Sequence, residues 1–460
     1  MSTSITLLIP LLLGIGGFIV ATSRARRFSD VGSGKMHSLP KYHGYLVALS
    51  IIVPAYLIIF LWLFFEQSVL RGVIVNALPD ALTNGATPAQ VSLLISQVQQ
   101  AASGATFGNP DPAIVEVAGR LREAVVFSRW ALPLVIVLVG LATAAVLVSR
   151  IAKRFRARNY SEAIMRGLLI FCATLSILAT LGILLSLLFE GLQFFSRVSP
   201  IEFFFGTRWD PQIAIRPDQI GSSGAFGAIP VFMGTLTIAF TALFVAIPVG
   251  IFAAIYMAEF ASPHVRGVVK PLIELLAGIP TIVYGFFAVL VISPFIREWL
   301  GSIGIAVSPT AAIVPGLVMG VMLIPFISSL SDDAITAVPQ SLKDGSLGLG
   351  ANRAETVTKV LLPAALPGIV GGVLLATTRA IGETMIVVMA AGLTANMTVN
   401  PLQGVTTVTV QIVALLTGDT EFDNPKTLAA FGLGLTLFLA TLLLNLVAIQ
   451  IVKRFREQYD

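Results

Sequence analysis

The sequence predicts an all-α polytopic membrane protein, and three observations carry that prediction. Of 460 residues, 56% are hydrophobic and only 12% charged, against about 25% charged in an ordinary soluble domain. Mean hydropathy is +0.90. The apolar residues gather into runs of about 20, the length that crosses a hydrocarbon layer, and the basic residues cluster beside those runs.

Nine runs qualify as spans: 4–22, 45–65, 130–149, 167–189, 232–256, 271–296, 310–328, 367–391 and 428–451. The first, ITLLIPLLLGIGGFIVA, has its positive charges after the apolar stretch, the wrong order for a cleaved signal, so it is expected to stay as a helix. Arg24, Arg26, Arg27, Lys35 and Lys41 follow it. Arg150, Lys153, Arg154, Arg156, Arg158 and Arg166 occupy the linker 151–166 and its edges, and Lys453, Arg454 and Arg456 close the chain. Nine spans with an outside N-terminus and a cytoplasmic C-terminus put all three clusters inside, together with 257–270 and 329–366, as the positive-inside rule requires. The net charge of +5 is thus a bilayer-orienting charge, and no nucleic-acid partner is expected.

Segment 66–129 then lies outside. It is rich in Ala, Gln, Ser and Asn, and two helix starts are legible in it. In TPAQ (87–90) Thr87 caps, Pro88 takes the first turn and Gln90 reaches back; in DPAIVE (111–116) Asp111 caps. A small, mostly helical external subdomain is predicted, periplasmic if the membrane is a bacterial inner one. With the spans 4–22, 45–65 and 130–149 it forms an N-terminal extension, 1–150, ahead of a six-span region, 167–460.

Little in the chain points to chemistry. GSGK (32–35) lacks the first Gly and the final Ser/Thr of a phosphate-binding loop, with Ser29 and Met36 in those places. GIGG (14–17) reads as small-residue helix packing. The single cysteine, Cys172, is expected to fill core space. His37, His43 and His264 are scattered, so no metal site is expected, and no cofactor is implied. No Ser/His, paired-Asp or His-cluster arrangement supports an intramembrane enzyme.

Two segments stand out. Segment 329–366, SLSDDAITAVPQSLKDGSLGLGANRAETVTKVLLPAAL, has helix logic: Pro339 suits a first turn, Gly350 permits a tight turn, Arg353, Glu355 and Lys359 give a second helix a polar face, and Pro363 is expected to end it. An ordered helical hairpin results. The other is GGVLLATTRAIGETMIVVMAAG (371–392), an apolar stretch with Arg379 and Glu383 at its centre. Twelve residues past Pro367, at 1.5 Å per residue, put Arg379 ~18 Å into the layer. Four residues apart on one helix, the two would share a face, Glu383 holding Arg379. Such charges face a bundle interior or a watered path, and a guanidinium fork matches oxyanions. Thr377, Thr378 and Thr384 are candidate hydroxyls beside it. Gly278 and Pro280 are expected to kink or unwind the span that holds Glu274, itself a candidate salt-bridge partner.

Asp344-Gly345-Ser346, Gly350, Val360 and Leu362-Pro363 match the spacing of the EAA loop of ABC importer permeases, with Asp-Gly-Ser in place of Glu-Ala-Ala. FFFGTRWDP (203–211), FGAIPVFMGTLTIAF (226–240), AIPVGIFAAIYMAEF (246–260), IELLAGIPTIVYGF (273–286) and LATTRAIGETMIVVMAAG (375–392) resemble, in order, the phosphate permease (PstC) family. The resemblance covers residues 160–455, and segment 1–150 resembles an extension that some members carry. It implies a six-helix ABC importer permease core preceded by about three extra spans, in a bacterial inner membrane. It also implies the partners: a second related permease, an ATPase dimer that hydrolyses ATP in a separate subunit, and a periplasmic phosphate-binding protein. Phosphate would pass by Arg379, Glu383, Thr378 and Thr384. The ATPase would couple through Asp344, Gly345, Ser346, Gly350, Leu362 and Pro363. The competing functions are a stand-alone secondary anion transporter, for which the loop 329–366 has no use, and an ABC permease for sulfate or molybdate.

Overall fold

The computed structural model describes residues 3–30, 36–79, 88–104, 111–213, 223–417 and 424–455. The candidate cap Thr87 and the whole GSGK stretch lie outside these residues. Among the described residues nine helices are long and apolar enough to cross a membrane, one for each run read from the sequence. The chain divides into two compact units, Met1–Leu178 and Ala179–Asp460.

The first unit is built on three long helices, α1 (Thr3–Asp30), α2 (Pro40–Ala77) and α4 (Pro112–Ser149), with a shorter α3 (Pro88–Ser103). Close approach of α1 and α2 depends on the small residues of GIGG. A methyl group on Gly14 would meet the Ile52 side chain at 2.6 Å, and one on Gly17 would meet Ile51 at 2.8 Å. The described residues of segment 66–129 are mostly helical, as expected, but they are not detached from the spans. Continuations of α2 and α4 form it together with α3, around Ile74, Ile95, Val98, Ile114, Val117 and Leu121. Asp111 caps α4, its carboxylate accepting from the Ala113 N–H at 2.9 Å. Pro88 opens α3. Each of the three long helices carries an internal proline, Pro10, Pro54 and Pro133, and each remains a single helix.

Helix α5 (Ala157–Arg197) starts inside the basic linker and runs from the first unit into the second. Its apolar window has no buried residue, and Cys172 on it is exposed. The expectation that this cysteine fills the core is therefore wrong: an apolar helix does not have to turn any face to its own chain where lipid or another subunit covers it.

The second unit continues with a short α6 (Pro200–Phe205) and an antiparallel pair of strands, β1 (Trp209–Ile213) and β2 (Ser223–Phe226), joined in register at Trp209–Phe226. Then follow α7 (Ile229–Ile255), α8 (Pro263–Ala277), α9 (Thr281–Phe287), α10 (Ser293–Ser302) and α11 (Ile313–Thr336). The remaining helices are α12 (Gln340–Gly348), α13 (Arg353–Thr356), α14 (Leu362–Ile381), α15 (Met385–Ala390), α16 (Val408–Leu416) and α17 (Pro425–Phe455). Three π-helical turns, Tyr256–Phe260, Ala288–Ile292 and Val357–Leu361, interrupt or join these helices. The core centres on α11, whose Met319, Met322, Leu323 and Ile327 are fully enclosed among residues of α7 and α14. An aromatic cluster of Phe194, Phe203, Trp209 and Phe226 forms a second core.

Two of the runs are interrupted as helices. The run 271–296 is a break at Gly278-Ile279-Pro280 followed by a span over Thr281–Ser302, so Gly278 and Pro280 do unwind the helix. The run 367–391 stops as a helix at Ile381 and restarts at Met385.

Candidate functional site

The helix break at 382–384 governs the geometry around Arg379. Gly382 ends α14, and Thr384 is the cap position of α15. The Glu383 carboxylate bends forward to accept from the Met385 N–H at 3.0 Å and the Ile386 N–H at 3.4 Å. That is where a carboxylate is stabilised: the free N–H groups and positive end of a helix. The expectation that Arg379 and Glu383 share a continuous helix face is therefore corrected, because four-residue spacing brings side chains together only while the helix continues. No ion pair joins them among the described residues.

The Arg379 guanidinium carbon instead lies 4.4 Å from the centroid of the Phe326 ring, a cation–π contact from α11. Arg379 and Thr378 line a cavity of about 540 Å³ with Leu375, Gly382, Phe438 and Asn445. The Thr378 hydroxyl donates to the carbonyls of Leu374 and Leu375, and that of Thr377 to Val373. Both satisfy themselves on their own helix. The Thr384 hydroxyl contacts the Gly382 carbonyl at 3.3 Å. Of the four residues expected in one pathway, Arg379 and Thr378 face the cavity, while Glu383 and Thr384 organise the break beside it.

The break is tied down from two sides. The Thr409 hydroxyl donates to the Glu383 carbonyl at 2.9 Å. Further along α16, Gln411 donates to the Leu393 carbonyl at 2.7 Å and accepts from the Trp209 indole N–H at 2.9 Å. A strand residue 202 positions away from Gln411 thus helps hold the loop after α15.

The hairpin 329–366 is ordered. Pro339 is the cap position of α12 rather than its first turn, and the turn comes at Gly350, with φ +89°. Left-handed backbone of this kind suits glycine. Asn352 and Glu355 form a reciprocal capping box on α13. The hydroxyls of Ser346 and Thr356 meet at 3.0 Å across the two arms. Pro363 does not end the helix, contrary to expectation: α13, the π turn Val357–Leu361 and α14 run on as one span, Arg353–Ile381. The wide turn directly before Pro363 accommodates its ring and its missing N–H. Leu362 packs with Ala254, Ile335 and Ala365, Asp344 accepts from the Gln340 amide at 3.2 Å, and Gly345 stands in open space. Gly345, Ser346, Leu349 and Gly350 line a groove of about 590 Å³, and Leu349 is 91% exposed.

A charged cluster not singled out in the sequence adjoins this hairpin. Asp332, near the end of α11, is fully buried. Its carboxylate accepts two bonds from Arg266 (3.0 and 2.9 Å) and one from Lys270 (2.7 Å), both on α8. The hydrogen bond to Asp332 raises the Lys270 pKa above the usual lysine value. A second ion pair, Lys343–Glu259, links α12 to the π turn after α7. A carboxylate inside the last turn of an apolar run, with Arg and Lys four apart in the previous polar segment, was the available signal. Glu274, expected to make a salt bridge, is exposed and has no ion-pair partner among the described residues.

Spans broken around a cavity, a hairpin hinged on one glycine and charge clamps at the hairpin's root define the transmembrane subunit of a transporter. Residues 7–179 match the family described as phosphate ATP-binding cassette transporter, and 246–458 match binding-protein-dependent transport system inner membrane components. A probable ABC transporter permease of Bacillus subtilis is 35% identical over 63% of this chain and 90% of its own length. The phosphate transport system permease PstC 1 of Mycobacterium tuberculosis is 33% identical over 56% and 83%. A chain of a bacterial alginate ABC importer overlays at 18% identity with a TM-score of 0.45, covering 65% of this chain and 98% of that one. The chain belongs to the ABC transporter permeases, in the PstC phosphate-permease group, and is a multi-pass inner-membrane protein.

Proposed function

We propose that this chain forms one half of the phosphate pathway of an ATP-driven importer, with Arg379 as the residue that meets the anion. The observation that carries the proposal is the state of that side chain. Its guanidinium lies against an aromatic ring and beside a cavity, with no carboxylate paired to it among the described residues. A paired Arg would have its donors occupied; here the fork is available for oxyanion oxygens. Thr378 adds a hydroxyl oxygen to the same cavity. Glu383 acts through the backbone, fixing where α14 stops and hence where Arg379 points, and Thr384 supports the same turn.

ATP is hydrolysed by a partner dimer that docks on the hairpin, gripping the groove at Gly345, Ser346 and Gly350 with Leu349 as its apolar knob. Asp344 supports the first arm, and Leu362 and Pro363 carry its motion into α14. Lys343–Glu259 and the Asp332 cluster carry it into α7, α8 and α11. A second related permease completes the pathway, and a periplasmic phosphate-binding protein delivers the anion. The N-terminus lies in the periplasm and the C-terminus in the cytoplasm. A cysteine placed at Ala101 should react with impermeant reagent from the periplasmic side only.

The test is radiolabelled phosphate uptake, normalised to inserted protein, in cells without other phosphate importers. Arg379→Gln should abolish uptake, and Arg379→Lys should restore only a minor part of it, because a point charge lacks the planar fork. Wild-type uptake by Arg379→Gln refutes the assignment. Competition by sulfate or molybdate as strong as by unlabelled phosphate would reassign the substrate.

A further inference from the structure

The first unit holds a polar cavity of about 880 Å³ that the transport reading does not use. Its polar lining converges from three helices: Thr6 of α1, Trp62 and Glu66 of α2, and Ser128 and Arg129 of α4. Thr6 and Ser128 are each only 7% exposed. Neither hydroxyl has a hydrogen-bond partner among the described residues, and neither Glu66 nor Arg129 has an ion-pair partner there. Two further acceptors follow from the prolines. Pro10 and Pro133 lie inside their helices, and each removes the N–H that would have reached the carbonyl four residues earlier. Those carbonyls belong to Thr6 and Arg129, both lining the cavity.

Helix geometry fixes the depth of this cavity. At 1.5 Å per residue, Thr6 is ~27 Å along α1 from Arg24, Trp62 is ~32 Å along the chain from Lys41, and Arg129 is ~32 Å along α4 from Arg150. Each distance is about one hydrocarbon thickness. The cavity therefore opens at the membrane boundary opposite the basic segments. Trp62 and the exposed Trp130 stand at that level, where indole rings concentrate. Below the polar groups the walls turn apolar, with Ile59, Leu132 and Pro133.

We infer that this cavity binds a phospholipid headgroup carrying a phosphate and a primary ammonium. Arg129 takes the phosphate. Glu66, the two released carbonyls and the buried hydroxyls accept the three N–H bonds of the ammonium, and the acyl chains lie along the apolar wall. A phosphocholine headgroup fits less well, because a quaternary ammonium has no N–H to give. A phosphoglycerol headgroup leaves Glu66 unneutralised. The binding strengthens the packing of α1, α2 and α4, since ligand contacts add to the folded state only.

The experiment is native mass spectrometry of the purified full chain, exchanged into an equimolar mixture of phosphatidylethanolamine, phosphatidylcholine and phosphatidylglycerol. Retention of one phosphatidylethanolamine at about tenfold over phosphatidylcholine is expected, the factor for one charge-assisted hydrogen bond. Glu66→Gln should erase that preference and leave weak phosphatidylcholine retention, and Arg129→Gln should lower retention of all three. Equal retention of the three lipids by wild type overturns the inference, as does wild-type selectivity in Glu66→Gln. Should either variant fail to insert, the N-methyl and N,N-dimethyl lipids tested on wild type decide instead: retention falls with each methyl added or the inference is wrong. Displacement of the lipid by equimolar free O-phosphoethanolamine would transfer the site to a soluble ligand and overturn the lipid assignment.

Discussion

The two units differ in how often a disruption opens a helix. Pro10, Pro54 and Pro133 of the first unit each sit within an uninterrupted α-helix. The second unit absorbs Pro248, Pro271, Pro325 and Pro367 within helices in the same way, but there Pro280 also marks a break, Pro363 follows a π turn, and Gly382 separates α14 from α15. A proline in a helix loses one hydrogen bond, and the chain can absorb that locally or open around it. Charged groups accompany several of these openings: Arg379 beside one break, Glu259 in one π turn and Lys359 in another. Irregular backbone within apolar spans is tolerated where it is enclosed or lines a cavity, and π turns recur at functional positions. Among the described residues, the breaks and π turns fall in the second unit, the one that carries Arg379 and the hairpin.

The sharpest test of this contrast is an arginine removed from each unit. Arg379→Gln should cut phosphate uptake by roughly 100-fold or more, the effect of losing about 3 kcal/mol from a charge-assisted contact. Arg120→Gln, which breaks the exposed pair with Glu116, should leave uptake within the scatter, as surface pairs do. Equal losses would show that Arg379 is structural.

Next in size is Asp332→Asn. It leaves Arg266 and Lys270 facing an amide, and removing one partner of a buried ion pair costs ~3–5 kcal/mol. A lower melting temperature of the purified protein, with weakened co-purification of the ATPase, is expected. pH gives an independent check. The Lys270 pKa is raised in the fold by its bond to Asp332, so its contribution is complete below the unfolded lysine pKa and is lost as pH rises through the folded value. Wild type should lose stability at strongly alkaline pH, and Asp332→Asn should lose less there. A parallel loss in both proteins would detach Lys270 from the clamp.

A smaller change is expected at Gly350. An alanine methyl there would meet no atom within 4 Å, so Gly350→Ala isolates the strain of left-handed backbone, ~1–2 kcal/mol. Membrane insertion should be normal while ATPase co-purification and uptake fall several-fold. Unchanged coupling would mean that the hairpin tolerates another turn.

The mildest variant is Glu383→Gln. The amide oxygen still accepts from Met385 and Ile386, but the charge at the helix start is gone, worth ~0.3–1 kcal/mol. Uptake should fall only a few-fold, far less than for Arg379→Gln. Equal loss in the two variants would restore Glu383 to a direct role in passage.

The sequence by itself determined everything that depends on local composition. All nine spans, the helical character of 66–129, the Asp111 cap, the glycine turn at 350 and the unwinding at Gly278 and Pro280 follow from hydrophobic runs, capping residues and backbone preferences of neighbouring residues. The five stretches from FFFGTRWDP to LATTRAIGETMIVVMAAG, with the spacing of 344–363, marked the family resemblance. What only the tertiary structure decided are matters of partnership between distant segments. Arg379 and Glu383 look paired because spacing assumes a continuous helix. Whether a helix stops at Gly382 depends on Thr409 and on the free N–H groups of α15. Pro363 looks like a terminator until a π turn makes room for it. Asp332 looks like loop polarity until α8, some 60 residues earlier, encloses it. Burial, ion pairing and helix continuation are set by groups the local sequence does not contain, and so the fold's elements were legible while the wiring of its site was not.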